Sequence, residues 1–168
     1  MQKSSGLADQ QVTNDVLALT WLGAVIDCEG CLTYTWNVEV RQSAYPRLVI
    51  VNTDSTIIEK CCSILSSHNI PHHVAERYPR SYVERGWKAR TDIEIGGLKR
   101  LSRALPILIP YLIAKRGKAE RMLEFITSRL RVGRGVPYSE RELEIVSETR
   151  RTNRHPAPHR LHALPANP

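Results

Sequence analysis

The sequence predicts an α+β domain in which one antiparallel sheet carries helices on its apolar face. Residues 31–42 and 87–95 alternate apolar and polar side chains, a pattern typical of strands with one buried and one exposed face. The segments around these strands repeat apolar residues at helical spacing instead. A chain of 168 residues, 42% of them hydrophobic, is long enough for one core, so a chain disordered throughout is excluded.

The first half of the chain predicts the order helix, strand, strand, helix. Residues 1–13 are polar and small and are expected to form a flexible arm. Asn14 or Asp15 then caps a helix that ends near Gly30. Strands at 31–42 and 47–51 follow, joined by a turn at 43–46. A second helix begins at Thr53, Asp54 or Ser55 and ends at His68 and Asn69.

The second half predicts two more strands and then helices. The strands cover 73–78 and 87–95, with Trp87 on the apolar face. Short helices at 98–105 and 107–113 are expected to be broken by Pro106 and Pro110. A longer helix covers 117–130. A last helix at 139–149 opens with a capping box in which Ser139 is the cap and Glu142 is the third helical residue. Residues 150–168 are expected to form a basic tail rich in Pro, His and Arg.

Charge and cysteine content narrow the class of protein. Lys and Arg total 24 against 17 acids, and this excess of +7 favours an anionic partner, with nucleic acid first; a basic protein without such a partner is the alternative. Cys28 and Cys31 have metal-ligand spacing, but Cys61 and Cys62 are adjacent, so reduced thiols fit better than zinc. No apolar run is long enough to span a membrane, and the first residues lack a secretion signal. We therefore expect an intracellular protein, in the cytoplasm, nucleoid or an organelle.

The segment from Leu22 to Gly30, Leu-Gly-Ala-Val-Ile-Asp-Cys-Glu-Gly, resembles the LAGLIDADG motif of homing endonucleases. Gly and Ala are exchanged relative to that motif, and Glu29 replaces its last Asp. Asn52-Thr53-Asp54 looks like the family's strand-to-helix junction, and 110–115 resembles the loop with its active-site lysine. The resemblance covers 14–149 as one domain and implies an αββαββα fold with a saddle-shaped sheet and helices on the opposite face.

A single copy of the motif implies a homodimer that cleaves both strands of a pseudo-palindromic target by divalent-metal-dependent hydrolysis, as in intron homing. The dimer contact would be made by small and apolar residues of the motif helix. The resemblance places in it Leu22, Gly23, Ala24, Ile26 and Asp27.

The resemblance also assigns the metal ligands and the catalytic residues. Glu29 would bind Mg²⁺ or Mn²⁺ together with the backbone carbonyl of Cys28, while Asp27 is a weaker candidate ligand. Ca²⁺ is expected to support binding without cleavage. Lys115 would act on the attacking water or the phosphate, and Thr53 would order water. Lys115 could equally be a phosphate anchor and Thr53 a helix cap.

The polar faces of the predicted strands suit a β-ribbon that reads the major groove. The mixture of hydrogen-bond donors and acceptors on these faces favours contacts to DNA bases. The arginines outside the strands favour contacts to the phosphate backbone. The candidate DNA-binding residues are Thr33, Thr35, Asn37, Glu39, Arg41, Arg77, Arg80, Arg85, Lys88, Arg90, Asp92 and Arg116.

Two other functions stay open. On the same fold, the protein could be an intron RNA maturase or a DNA-binding protein that does not cleave, so intron RNA is a further candidate partner. Outside the family, it could be a small RNA-binding domain that stacks bases on Tyr34, Trp36 and Trp87. The predicted apolar-face position of these aromatics argues against that reading.

Overall fold

A computed structural model describes residues 5–37, 43–78, 84–133 and 135–153, with side chains from residue 10 onward except for 36 and 37. Its helices and strands follow the predicted order, except that the two short helices predicted at 98–105 and 107–113 form one helix followed by a 3₁₀ turn. They are α1 (Ser5–Glu29), β1 (Gly30–Asn37), β2 (Ser43–Asn52), α2 (Ser55–Ser67), β3 (His73–Arg77), β4 (Arg90–Gly96), α3 (Leu98–Leu108), a 3₁₀ turn (Ile109–Tyr111), α4 (Arg116–Val132) and α5 (Glu140–Asn153). None of the described helices is both long and apolar enough to cross a membrane.

The four strands form one antiparallel sheet in the order β1-β2-β4-β3. Leu32 and Tyr34 on β1 and Leu48 and Ile50 on β2 are buried, while the residues between them point to the other face. This confirms the α+β class and, within the described side chains of β1, the predicted alternation; residues 38–42 of the predicted strand lie outside the described residues. The helices pack on the buried face, where Phe125 of α4 meets Tyr34 edge to face with ring centroids 5.0 Å apart.

Two predicted caps are present. Asp54 accepts hydrogen bonds from the backbone N–H groups of Thr56 (2.8 Å) and Ile57 (3.3 Å) at the start of α2. At the start of α5, Ser139 N donates to the Glu142 carboxylate (2.8 Å), and Glu142 N donates to Ser139 Oγ (3.3 Å). The capping box is therefore confirmed.

The ends of the domain differ from the prediction. Helix α1 begins at Ser5, so 5–13 continue the helix instead of forming a loose arm. Gln11 bonds Asp15 one turn along (3.1 Å), a side-chain pair that supports an exposed helix. Helix α5 continues past residue 149 to Asn153, whose side chain donates to the Leu32 carbonyl (3.0 Å). Of the predicted tail, 154–168 lie outside the described residues.

Of the predicted proline effects, the break at Pro110 is confirmed, because α3 ends at Leu108 and Pro110 lies in the 3₁₀ turn that follows. The predicted turn ending at Pro46 and the predicted break at Pro106 were wrong, because both prolines lie inside a regular element. Pro46 lies within β2, next to Arg47, which pairs with Gly96, the last residue of β4. Pro46 is therefore just beyond the ladder between these two strands. Pro106 lies in the last turn of α3, which ends at Leu108. Trp87 was also misplaced, since it precedes β4, is half exposed, and lies under the Arg85 guanidinium (4.9 Å).

Candidate active site

The carboxyl end of α1 is joined to the 113–115 loop by one side chain. Asp27 accepts backbone hydrogen bonds from Ile113 (2.6 Å) and Ala114 (3.1 Å) on Oδ2 and from Lys115 (2.9 Å) on Oδ1. Three consecutive N–H groups therefore converge on one carboxylate. The loop cannot move relative to the helix without breaking these bonds.

These contacts also keep Asp27 ionised. Its partial burial opposes ionisation, but the three backbone N–H groups and the nearby Lys115 charge outweigh that effect and lower the pKa of Asp27 below its ordinary value. Because both Asp27 oxygens are engaged inside the chain, Asp27 serves as the anchor of this loop. The predicted placement of Asp27 in a contact between two chains stays a prediction.

Lys115 is drawn over the end of α1. Its ammonium donates to the backbone carbonyls of Ile26 (3.0 Å) and Asp27. The carbonyl end of a helix carries partial negative charge, so a cation is stabilised there. An ammonium has three donors and two are used here, which leaves one for a water or a phosphate oxygen. The structure thus brings Lys115 to the end of the motif helix, and its predicted role in catalysis stays a prediction.

Glu29 is the last residue of α1, and Gly30 begins β1. Glu29 is exposed, and no hydrogen bond or ion pair holds its carboxylate within the described part of the chain. Cys28 is exposed beside it, and its carbonyl is one of the last four of the helix, which lack partners within the helix. The site therefore offers a free carboxylate and carbonyl oxygens, the donor set that hard divalent cations prefer.

The described part of one chain does not complete a metal site by itself. Across the described ranges, no group of three or more His, Cys, Asp or Glu side chains is placed to hold an ion. The oxygens of Glu29 and Cys28 fit part of a coordination shell, and further ligands would have to come from outside the described residues.

The glycine of the motif helix packs inside the domain. A Cβ on Gly23 would lie 2.9 Å from the carbonyl carbon of Tyr111 and still closer to its oxygen, so only glycine lets the 3₁₀ turn approach α1. Leu22 and Ile26 are fully buried in the core. The predicted dimer contact through Leu22, Gly23 and Ile26 was therefore wrong, because these residues face their own domain.

A different stripe of α1 is exposed. Leu17, Thr20, Ala24 and Cys28 follow helical spacing and have exposed side chains, with Leu17 exposed by 63%. Of the predicted contact residues, only Ala24 lies on this stripe. The sequence contained the signal, because these four residues share one helix face and none is charged.

The polar face of the sheet carries paired charges. Arg47 of β2 bonds Glu94 of β4 (3.2 Å), and Arg77 of β3 bonds Asp92 of β4 (2.9 Å). Thr33 lies opposite Arg47 on this face, and Thr35 lies opposite Tyr45. The sequence analysis did not name Tyr45 and Arg47 as candidate DNA-binding residues, because strand 47–51 is mostly apolar and no polar face was predicted for it. The strand register places both residues beside the two threonines on the polar face.

The other predicted DNA-binding residues are spread around this face. Arg90 begins β4, Lys88 is exposed just before it, and Arg85 covers the Trp87 ring. Arg116 begins α4 and pairs with Glu120 (3.1 Å). Outside the described side chains lie Asn37, Glu39, Arg41 and Arg80.

Thr53 stays a prediction. The cap of α2 is Asp54, whose own N–H bonds the Asn52 side chain (2.9 Å), so capping does not use the Thr53 hydroxyl. Thr53 is exposed, and among the described contacts none joins it to Glu29 or Lys115.

No protein-family model and no curated protein matches this sequence. Solved structures do match. The homing endonuclease I-CvuI, in complex with its target in the presence of Ca, superposes with a TM-score of 0.65 at 17% identity, over 86% of this chain and 87% of that chain.

Two further structures agree. The archaeal intron-encoded homing endonuclease I-Vdi141I, complexed with DNA, has a TM-score of 0.60 at 14% identity, over 82% of this chain and 84% of its own. The LAGLIDADG homing endonuclease I-GzeII, in complex with its DNA target, has a TM-score of 0.53 at 16% identity, over 78% of this chain but 42% of its own. The chain thus has the fold of the LAGLIDADG homing endonucleases.

Proposed function

We propose that this protein is a site-specific double-strand DNA endonuclease of the intron-homing type, which acts as a homodimer and hydrolyses phosphodiesters with a divalent metal ion. One observation carries the proposal: the free carboxylate of Glu29 and the Lys115 ammonium share the end of the motif helix. A protein that only binds DNA gains nothing from an unpaired carboxylate beside phosphates. The similarity to homing endonucleases solved with DNA supports this reading.

The exposed stripe of α1 supports a dimer. Leu17, Ala24 and Cys28 offer an apolar and small surface, across which a second α1 could pack closely about a two-fold axis. The match spans less than half of I-GzeII, so one chain of that enzyme has room for two such domains. A dimer of the present chain would provide the same number.

Each residue has a separate task in the proposed reaction. Glu29 and the Cys28 carbonyl would hold Mg²⁺ or Mn²⁺, with further ligands from a second copy and from the DNA. The bound ion would neutralise charge on the scissile phosphate and favour hydroxide over water. Lys115 would direct its remaining N–H to the attacking water or a phosphate oxygen, and Asp27 would keep it in place. The polar sheet face and the surrounding arginines would contact the target.

Cleavage of a randomised duplex library with Mg²⁺, followed by sequencing of the new ends, tests the proposal. We expect paired, staggered ends at a few related sequences, and none without metal. Glu29→Gln should abolish cutting but retain binding in Ca²⁺, whereas Glu140→Gln, the same change at an exposed position on α5, should cut normally.

Two outcomes would contradict the proposal. Equal cutting by wild type and Glu29→Gln would remove Glu29 from the reaction. Sequence-selective binding without cutting in Mg²⁺ or Mn²⁺ would instead identify a DNA-binding protein or a maturase on this fold.

A further inference from the structure

Asp92 is enclosed on the polar face of the sheet. It lies between Val51 of β2 and Ala75 of β3, its direct partners in the two ladders. Its side chain is 11% exposed. Oδ2 accepts a hydrogen bond from Arg77 Nε at 2.9 Å, and Oδ1 lies 3.3 Å from Arg90 Nε. Each oxygen therefore faces a guanidinium, which leaves little of the carboxylate for a ligand.

The Asp92 carboxylate compensates the positive charges of Arg77 and Arg90. Arg77 and Arg90 lie directly opposite each other on β3 and β4, where like charges repel. Asp92, two residues further along β4, is the counter-charge that lets both stay on this face. The Arg90 contact is an ion pair without hydrogen-bond geometry, so it is the weaker of the two.

The geometry also fixes what the arginines can offer. Asp92 engages each at Nε, and among the described contacts no hydrogen bond holds a terminal Nη group of either arginine. Arg77 is 55% and Arg90 36% exposed. A pair of Nη donors on a planar fork matches the two acceptors of a guanine edge in the major groove.

We propose that Asp92 is a positioning residue for target recognition, which holds Arg77 and Arg90 oriented toward bases and away from phosphates. The inference rests on the proposed DNA-binding function and assigns Asp92 a role through the arginines instead of direct contact with cytosine. Without the carboxylate, two flexible cations would be released to bind any phosphate. Asp92 would therefore raise specificity and lower non-specific affinity.

Selection from a randomised duplex library in Ca²⁺ tests this, with Asp92→Asn compared with wild type. We expect discrimination at one or two base pairs per half-site to fall by between about fivefold and about a hundredfold. Binding to mixed-sequence DNA should tighten, and the slope of log affinity against log salt should steepen by roughly one. Glu76→Gln, the same charge change on the neighbouring strand but the other sheet face, should leave the sequence profile unchanged.

A second experiment, in a variant that lacks both arginines, distinguishes a positioning role of Asp92 from a purely structural one. In a protein already carrying Arg77→Gln and Arg90→Gln, Asp92→Asn should cause no further loss of discrimination at those base pairs. An equal loss in both backgrounds, or an unchanged profile in the single variant, would overturn the proposal. If the wild type selects no sequence, the proposed function fails instead, which distinguishes the two failures.

Discussion

Asp27→Asn tests the link between the motif helix and the lysine loop. Asparagine keeps the size of aspartate but has one oxygen in place of two. In the native site, Oδ2 faces the N–H groups of Ile113 and Ala114, while Oδ1 faces that of Lys115. The amide NH₂ must therefore meet at least one N–H donor in either orientation, and one or two backbone donors lose their partner.

The expected cost follows from the number of bonds. A hydrogen bond to a charged group contributes about 1.5–3 kcal/mol. Asp27 is half-buried, so water can replace part of this. We expect the free energy of unfolding to fall by about 2–3 kcal/mol, which lowers Tm by roughly 4–12 °C for a domain of this size. If Lys115 shifts by about 1 Å, cleavage should slow by roughly a hundredfold.

Urea unfolding at fixed protein concentration measures the first effect, and single-turnover cleavage measures the second. Asp15→Asn is the matched control, because Asp15 lies on the same helix and accepts from Gln11. It should change the free energy of unfolding by about 0.5 kcal/mol or less. The reasoning is refuted if Asp27→Asn unfolds and cleaves like this control.

The stabilisation by Asp27 should also depend on pH in a defined direction. The pKa of Asp27 is lowered in the folded protein, so its stabilisation is fully present above the unfolded pKa of about 3.9 and is lost as pH falls through the folded value. The difference in stability between wild type and Asp27→Asn should therefore be constant near neutral pH and shrink below about pH 4. A difference that grows on acidification would contradict the assignment.

Three further predictions concern stability and assembly. Gly23→Ala should lower the free energy of unfolding by about 1–3 kcal/mol, measured by urea unfolding, because its Cβ would meet the Tyr111 backbone. Glu142 is buried against Arg129 and Ser128. Burial opposes ionisation of its carboxyl, but the hydrogen bonds and the Arg129 charge outweigh the burial and lower the pKa of Glu142. Glu142→Gln should thus lose stability at pH 7 and approach wild type in thermal scans below about pH 4. Ala24→Glu places like charges together on a shared α1 stripe and should shift sedimentation from dimer to folded monomer. An unchanged dimer would place the contact elsewhere.

Local chemistry explains most of what could be predicted. The alternation in β1 identified the buried face because strand periodicity alone decides which side chains share a face. Asp54 and the Ser139–Glu142 box were found because a cap bonds N–H groups two or three residues away. Pro46 and Pro106 misled because whether a missing N–H ends a strand or a helix depends on tertiary contacts, which no local pattern contains.

The sequence by itself determined the order of helices and strands, the polar face of the sheet and the motif with its acid at position 29. Only the tertiary structure decided which face of α1 is free. Gly23 and Ala24 are both small and adjacent, but side chains one residue apart on a helix point about 100° apart. The 3₁₀ turn covers Gly23 and leaves Ala24 exposed. Likewise, Asp27 meets residues 113–115, and Asp92 meets Arg77, only because folding joins segments that are far apart in the chain.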